Sequence, residues 1–253
     1  MLGCRVAARR RKRRLEYSRS SDLLAFRASA SLTSFIFIAL FAALFISPIS
    51  LPVATRASAD TSNLAVDALN QLPVKGRAPK TGYSREAFGQ AWSDVNRNGC
   101  DTRNDILKRD LREVIFKPRT RDCVVLSGVL NDPYSGTLIN FLRGETTSAL
   151  IQIDHVVALS NAWQTGAFQL TLKERTEFAN DPLNLLAVMG SLNSQKGDGD
   201  AATWLPPNKS FRCTYIARQI AVKKKYRLWV TAPEKNEMVR ILSKCPSQTL
   251  NVG

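Results

Sequence analysis

The stretch IQIDHVVALSNAW, residues 151–163, changes periodicity half-way along. Ile151 and Ile153 alternate with polar neighbours as a strand does, whereas Ala158, Leu159, Ala162 and Trp163 recur at helical spacing. At the junction stands His155, the only histidine among 253 residues, directly after Asp154. Any imidazole chemistry of this chain therefore belongs to one position, at the end of a strand. On a regular strand neighbouring side chains point to opposite faces, so Asp154 and His155 can serve one site only where the strand ends or twists.

Outward from that junction the pattern continues to alternate between helix and strand. SALIQID (148–154) reads as a strand, and CVVLSGVL (123–130) and TLINFL (137–142) form a hairpin around the turn residues NDPYSG. After His155, TLKERTEF reads as a helix, ANDPLNLLAV as a turn and short strand, and the following segment as a small helix carrying Asn193 and Lys196. Helices are expected over residues 60–72, 84–92 and 211–224 and from Pro233 onward, with another whose apolar face is Ile106, Leu107, Leu111, Val114 and Ile115. YRLWV (226–230) reads as extended, and Trp163, Trp204 and Trp229 as core residues. The fold class predicted is a single α+β domain over residues 60–253.

The first sixty residues do not fit that domain. RRRKRR (9–14) followed by the apolar run FIFIALFAALFI (35–46) and the small residues Ala57, Ser58 and Ala59 has the order of a secretory signal, with cleavage expected after Ala59. The apolar run is short for a membrane span, so a secreted protein without stable membrane association is expected, a tethered form being the alternative. Ten of the 36 basic and two of the 21 acidic residues precede Asp60, so the net charge of +15 becomes +7 for the remainder. That surplus favours polyanionic partners without choosing among them. Cys4 lies in the signal; Cys100, Cys123, Cys213 and Cys245 contain no CxxC pair and suit disulfides of an oxidising compartment. Of three connectivities, Cys100 with Cys123 and Cys213 with Cys245 close the shorter loops and are preferred.

Strand, Asp154-His155, a helical insertion, Asn184 at a second short strand, then a helix with Asn193: this order resembles the ββα-metal site of the HNH endonuclease superfamily. IDHVVAL, NDPLNLLAV and NSQKGD stand in the family's order over residues 151–198, and RAPKTGYSREAFGQAW, GCDTRNDILKRDL and DAATWLPPNKSFRCTYIARQ are similar to segments of secreted bacterial HNH-family proteins. The resemblance implies a ββα core and an endonuclease in which Asp154 and Asn193 bind the metal, His155 is the general base and Asn184 accepts the imidazole N–H. Two oxygen ligands suit Mg²⁺, with Mn²⁺ as a substitute. Lys196, one turn beyond Asn193, is a candidate to neutralise a phosphate oxygen. A free imidazole titrates at about 6.5, so activity is expected to fall below about pH 6 to 7.

DNA is favoured over RNA as substrate, with low sequence specificity, and the oligomeric state stays open. The competing function is a secreted, non-catalytic protein that binds DNA or another polyanion. Two further features carry weaker readings. Asp94, Asn96, Asn98, Gly99 and Asp105 have the spacing of a calcium-binding loop, although an Asx-rich turn held by Cys100 explains the same residues better. Arg97, Arg103, Lys108, Arg109 and the tract RQIAVKKKYR (218–227) are either contacts for a nucleic-acid backbone or solvated helix faces.

Overall fold

A computed structural model of the protein describes residues 63–250; the expected signal segment and its cleavage after Ala59 lie outside them. In chain order the elements are α1 (Ala65–Gln71), α2 (Thr102–Asp110), β1 (Leu111–Phe116), β2 (Val125–Asn131), β3 (Leu138–Leu142), β4 (Ile151–His155), α3 (Leu159–Gln164), α4 (Leu172–Ala179), β5 (Leu185–Met189), α5 (Gly190–Lys196), α6 (Arg212–Lys225) and α7 (Ala232–Leu242). The architecture is α+β, as the patterning predicts.

β4 and β5 form an antiparallel pair with Ile151 opposite Met189 and His155 opposite Leu185. Both faces of this ribbon are buried. Ile151, Ile153, Leu185 and Ala187 pack with Ile106 and Leu107 of α2 and with Leu111, Val125, Leu130 and Phe141 of the three-stranded antiparallel sheet β1-β2-β3. Leu186 and Val188 face the other way, into a cluster with Tyr215, Ile216 and Ile220 of α6 and residues of α1 and α7. α5 follows β5 without a loop, and this is possible because position 190 is glycine. A Cβ there would lie 2.1 Å from the Ala149 carbonyl oxygen.

Three local expectations are corrected. Residues 84–92 hold only a 3₁₀ turn, Glu86–Phe88, anchored by buried Phe88. The helix expected to run through Ile115 ends at Asp110; Leu111 is already extended and the next residues pair with β2. Val114, Ile115 and Phe116 suit a pleated surface, and β2 supplies hydrogen bonds that an isolated last helical turn lacks. YRLWV contributes a single bridge, Val230 to Val74. α4 and α7 begin with capping boxes at Thr171–Glu174 and Thr231–Glu234. Trp229 is buried, and Trp163 and Trp204 are partly buried against core clusters.

Disulfides join Cys100 to Cys123 and Cys213 to Cys245, the preferred pairing. In the loop before α2, Asp94 accepts from the N–H groups of Asn98 and Gly99, Asn98 from Cys100, and the Asp105 carboxylate from the side-chain amides of Asn96 and Asn98. The loop's oxygens thus close on its own donors, the Asx-turn arrangement. Much of the basic surface is likewise spent internally. Arg109 and Arg218 donate to backbone carbonyls of residues 182–185, and Lys223 is fully buried on Glu234 and the Trp229 carbonyl.

Candidate functional site

β4 ends at His155, where the Val156 N–H turns to the Asn184 carbonyl at 2.7 Å. Asp154 and His155 leave the strand on opposite faces, and a 220 Å³ cavity around the strand end touches both, together with Tyr83, Arg85, Asn193 and Asp198. Of the five sequence-predicted site residues, the structure therefore brings Asp154, His155 and Asn193 to one cavity. Lys196 and Asn184 lie behind it.

The imidazole is half-buried. Its Nε2 lies 2.9 Å from the Ala179 carbonyl at the end of α4. A carbonyl only accepts, so Nε2 carries the proton and Nδ1 keeps its lone pair. Trp92 stacks beside the ring, centroids 6.3 Å apart and planes within 16°. Lost hydration lowers the imidazole pKa to about 4, the Ala179 contact opposing the shift and the charges of Arg85 and Lys196 adding to it. The ring is thus neutral through pH 6 to 7, and the expectation of a free imidazole losing its base function there is corrected.

Asn184 does not touch the imidazole, contrary to the sequence reading. It is fully buried, its Oδ1 accepts the Val157 N–H at 2.9 Å, and its Nδ2 faces the carbonyls of Val157 and Phe178, each at 3.4 Å. The amide staples the turn after His155 to the end of α4, whose carbonyl holds the ring. The physical reason is that the backbone N–H left by the strand's end would otherwise be unsatisfied in a dry environment.

Asp154 is buried and doubly engaged. Lys196 Nζ lies 2.9 Å from Oδ1 and also donates to the His155 carbonyl at 2.8 Å, while the Tyr134 hydroxyl donates to Oδ2 at 2.5 Å. Burial raises the Asp154 pKa, with Lys196 and Tyr134 opposing that shift. The Tyr134 phenol is pushed well above its ordinary range by burial and by the Asp154 charge, so it stays a donor. Lys196 is therefore an internal counter-ion, and its expected role at a substrate phosphate is corrected. Asn193, half-buried on α5, places its Nδ2 2.8 Å from Gln152 Oε1, which leaves its Oδ1 as the acceptor end.

Tyr134, Arg85 and Asp198 escaped the sequence reading. Tyr134 stands in NDPYSG, which gives only turn signals, yet Asp132 in that turn accepts the Met189 N–H and so pins it to the end of β5. Arg85 lies in the segment misread as a helix. Asp198 follows α5 and is held by Lys80 at 2.8 Å, far away in sequence.

The profile of the family "GmrSD restriction endonucleases, C-terminal domain" matches residues 101–241, which include β4, β5 and α5. A protein of Arthroderma benhamiae named "Uncharacterized secreted protein" is 36% identical over 211 residues, 83% of this chain and 98% of that protein. No solved structure matches. Among the described residues no helix is long and apolar enough to cross a membrane. With a matched span that covers more than half of the sequence and contains the whole β4-β5-α5 unit, the chain belongs to the nuclease-type family of the GmrSD restriction endonuclease C-terminal domain.

Proposed function

We propose that this protein is a secreted HNH-type endonuclease that hydrolyses nucleic-acid phosphodiesters, DNA in preference to RNA, with low sequence specificity. The observation that carries the reading is the arrangement at the end of β4: an imidazole with Nε2 tied to a carbonyl and Nδ1 free, bordering the same cavity as Asp154 and Asn193. β4 supplies Asp154 and His155 and α5 supplies Asn193, with β5 pairing β4 and leading into α5, in line with the ββα order that the resemblance implies. Secretion is supported by the signal-like N-terminus, by two disulfides and by the name of the Arthroderma benhamiae relative.

In this reading Nδ1 of His155 accepts a proton from water as the water oxygen bonds to phosphorus. The P–O3′ bond breaks, the departing 3′ oxygen takes a proton from solvent, and the product keeps a 5′-phosphate. Burial holds the ring neutral before the step, and the Ala179 carbonyl stabilises the imidazolium that forms. Asn184 positions the ring by fixing the turn that follows it.

For the divalent ion, the cavity offers three oxygen donors, the Asp154 carboxylate, the Asn193 amide and the Asp198 carboxylate, while the His155 Nδ1 that also borders it is kept for the water. Among the described residues no group of three or more His, Cys, Asp or Glu side chains converges. Such a hard, sparse set suits Mg²⁺ or Mn²⁺ that keep several waters, and a carboxylate with two donors bound has lone pairs left. Asp154 and Asn193 would hold the ion, which supplies positive charge for the phosphoryl and leaving oxygens.

Incubation of the purified protein with plasmid DNA tests the proposal. Cleavage is expected in Mg²⁺, loss in EDTA, and a fall of about 10²- to 10⁴-fold in His155→Ala; cleavage that survives both changes sinks it. A second reading, binding of polyanions without catalysis, is favoured by the pairing of both Asp154 oxygens. Salt-sensitive binding with no cleavage under any divalent ion would select it.

A further inference from the structure

We propose that Arg85 is a further catalytic residue, the side chain that grips the phosphate beside His155. The inference rests on the nuclease reading and gives Arg85 the role expected from sequence for Lys196. Lys196 is unfit for it because its ammonium is fully buried and spent on Asp154 Oδ1 and the His155 carbonyl. Without another cation, a phosphate entering the cavity would meet Asp154, already neutralised, and Asp198, itself paired with Lys80.

Arg85 lies with His155 at the border of the open cavity. It is exposed, it takes part in no salt bridge among the described residues, and it borders both the polar cavity and the smaller apolar one that share His155. Its charge reaches both His155 and Tyr83 across the cavity. The backbone that carries it is fixed. Phe88 is buried three residues on, the Phe88 N–H bonds the Arg85 carbonyl, and the Ala87 carbonyl accepts from Arg175 at 2.6 Å. An unpaired guanidinium on a fixed backbone keeps its five donors for a ligand, and its planar fork matches two oxygens of a phosphate. By contrast the basic residues of α2 and α6 that reach β4 and β5, Arg103, Arg109 and Arg218, are bound to their carbonyls.

The test compares the full chain with Arg85→Ala, Arg85→Lys, His155→Ala and Lys244→Ala, an exposed lysine of no proposed role. Two quantities are read: plasmid cleavage in Mg²⁺, and the salt dependence of duplex binding in EDTA, where cleavage is irrelevant. Arg85→Ala should lose about 100-fold in kcat/KM, and Arg85→Lys should recover part of it, since charge returns without the fork. In binding, Arg85→Ala should lower the slope of log K against log salt by about 0.9, one phosphate contact; His155→Ala and Lys244→Ala should keep the parent slope. An unchanged slope in Arg85→Ala overturns the proposal, and so does a lowered slope with cleavage intact. Cleavage that persists in His155→Ala and EDTA would instead strike the nuclease reading, while the slope still judges Arg85. Arg85 packs into no core cluster, so its variants should melt with the parent; if Arg85→Ala does not, Arg85→Lys decides, and parent-like slope and rate there with no loss in alanine overturn the assignment.

Discussion

His155 and Asn184 show how one polar side chain depends on another without contact. The ring takes its tautomer from the Ala179 carbonyl, and the Asn184 amide holds the turn that aims it. Replacing Asn184 by Ala leaves the buried Val157 N–H without an acceptor, a loss of about 1–3 kcal/mol. A lowered melting temperature, with weaker cleavage following from it, is expected; unchanged melting with cleavage abolished would point to a direct role at the ring. The imidazole itself should be visible in acid stability. Its pKa is about 4 in the folded chain, against about 6.5 when unfolded. Between those values the unfolded state holds a proton that the native ring lacks, so this contribution is full above about pH 6.5 and fades as the pH falls towards 4. Melting curves in EDTA should therefore fall more steeply over that window for the parent than for His155→Gln; parallel curves would contradict the burial argument.

At the scale of elements, the β5-α5 junction decides whether Asn193 and Lys196 reach β4. No loop intervenes, and the Gly190 backbone passes close to the Ala149 carbonyl. Gly190→Ala must push these segments apart, at a cost of about 1–3 kcal/mol for overpacking. Reduced thermal stability together with a weakened Lys196–Asp154 pair is expected, the latter read as a change in the lysine side-chain NMR signal. The sequence predicts a small helix after β5 but not how near its start lies to the 3₁₀ turn Ser148–Leu150 ahead of β4, because that contact joins segments about forty residues apart. The same limit applies to α2, where apolar spacing fits a helix through Ile115 and only pairing with β2 ends it at Asp110.

Over the whole molecule, two faces of a two-stranded ribbon are covered by separate clusters, one from α2 and the three-stranded sheet and one from α1, α6 and α7. The Cys213–Cys245 bridge, with a sequence separation of 32, ties α6 to the end of α7 in the second cluster. In the chain-entropy account a loop of that size contributes about 3–4 kcal/mol. The double serine variant should lose roughly that much in denaturant unfolding, with the midpoint lower and the slope little changed; equal midpoints would show that the packing of α6 on α7 is sufficient alone.

The sequence by itself determined the α+β class and the β4-β5-α5 order, which follow from periodicity, a local property. It left three disulfide connectivities open and preferred the one that closes the shorter loops, and it brought Asp154, His155 and Asn193 together only through a motif order that resembles the ββα-metal site. Only the tertiary structure decided what each polar group holds: Asn184 a backbone turn, Lys196 and Tyr134 the Asp154 carboxylate, and Arg85 no salt bridge among the described residues. Buried donors and acceptors must be satisfied by whatever the packing brings within about 3 Å. Those partners come from turns and helices remote in the chain, and no one-dimensional pattern records them.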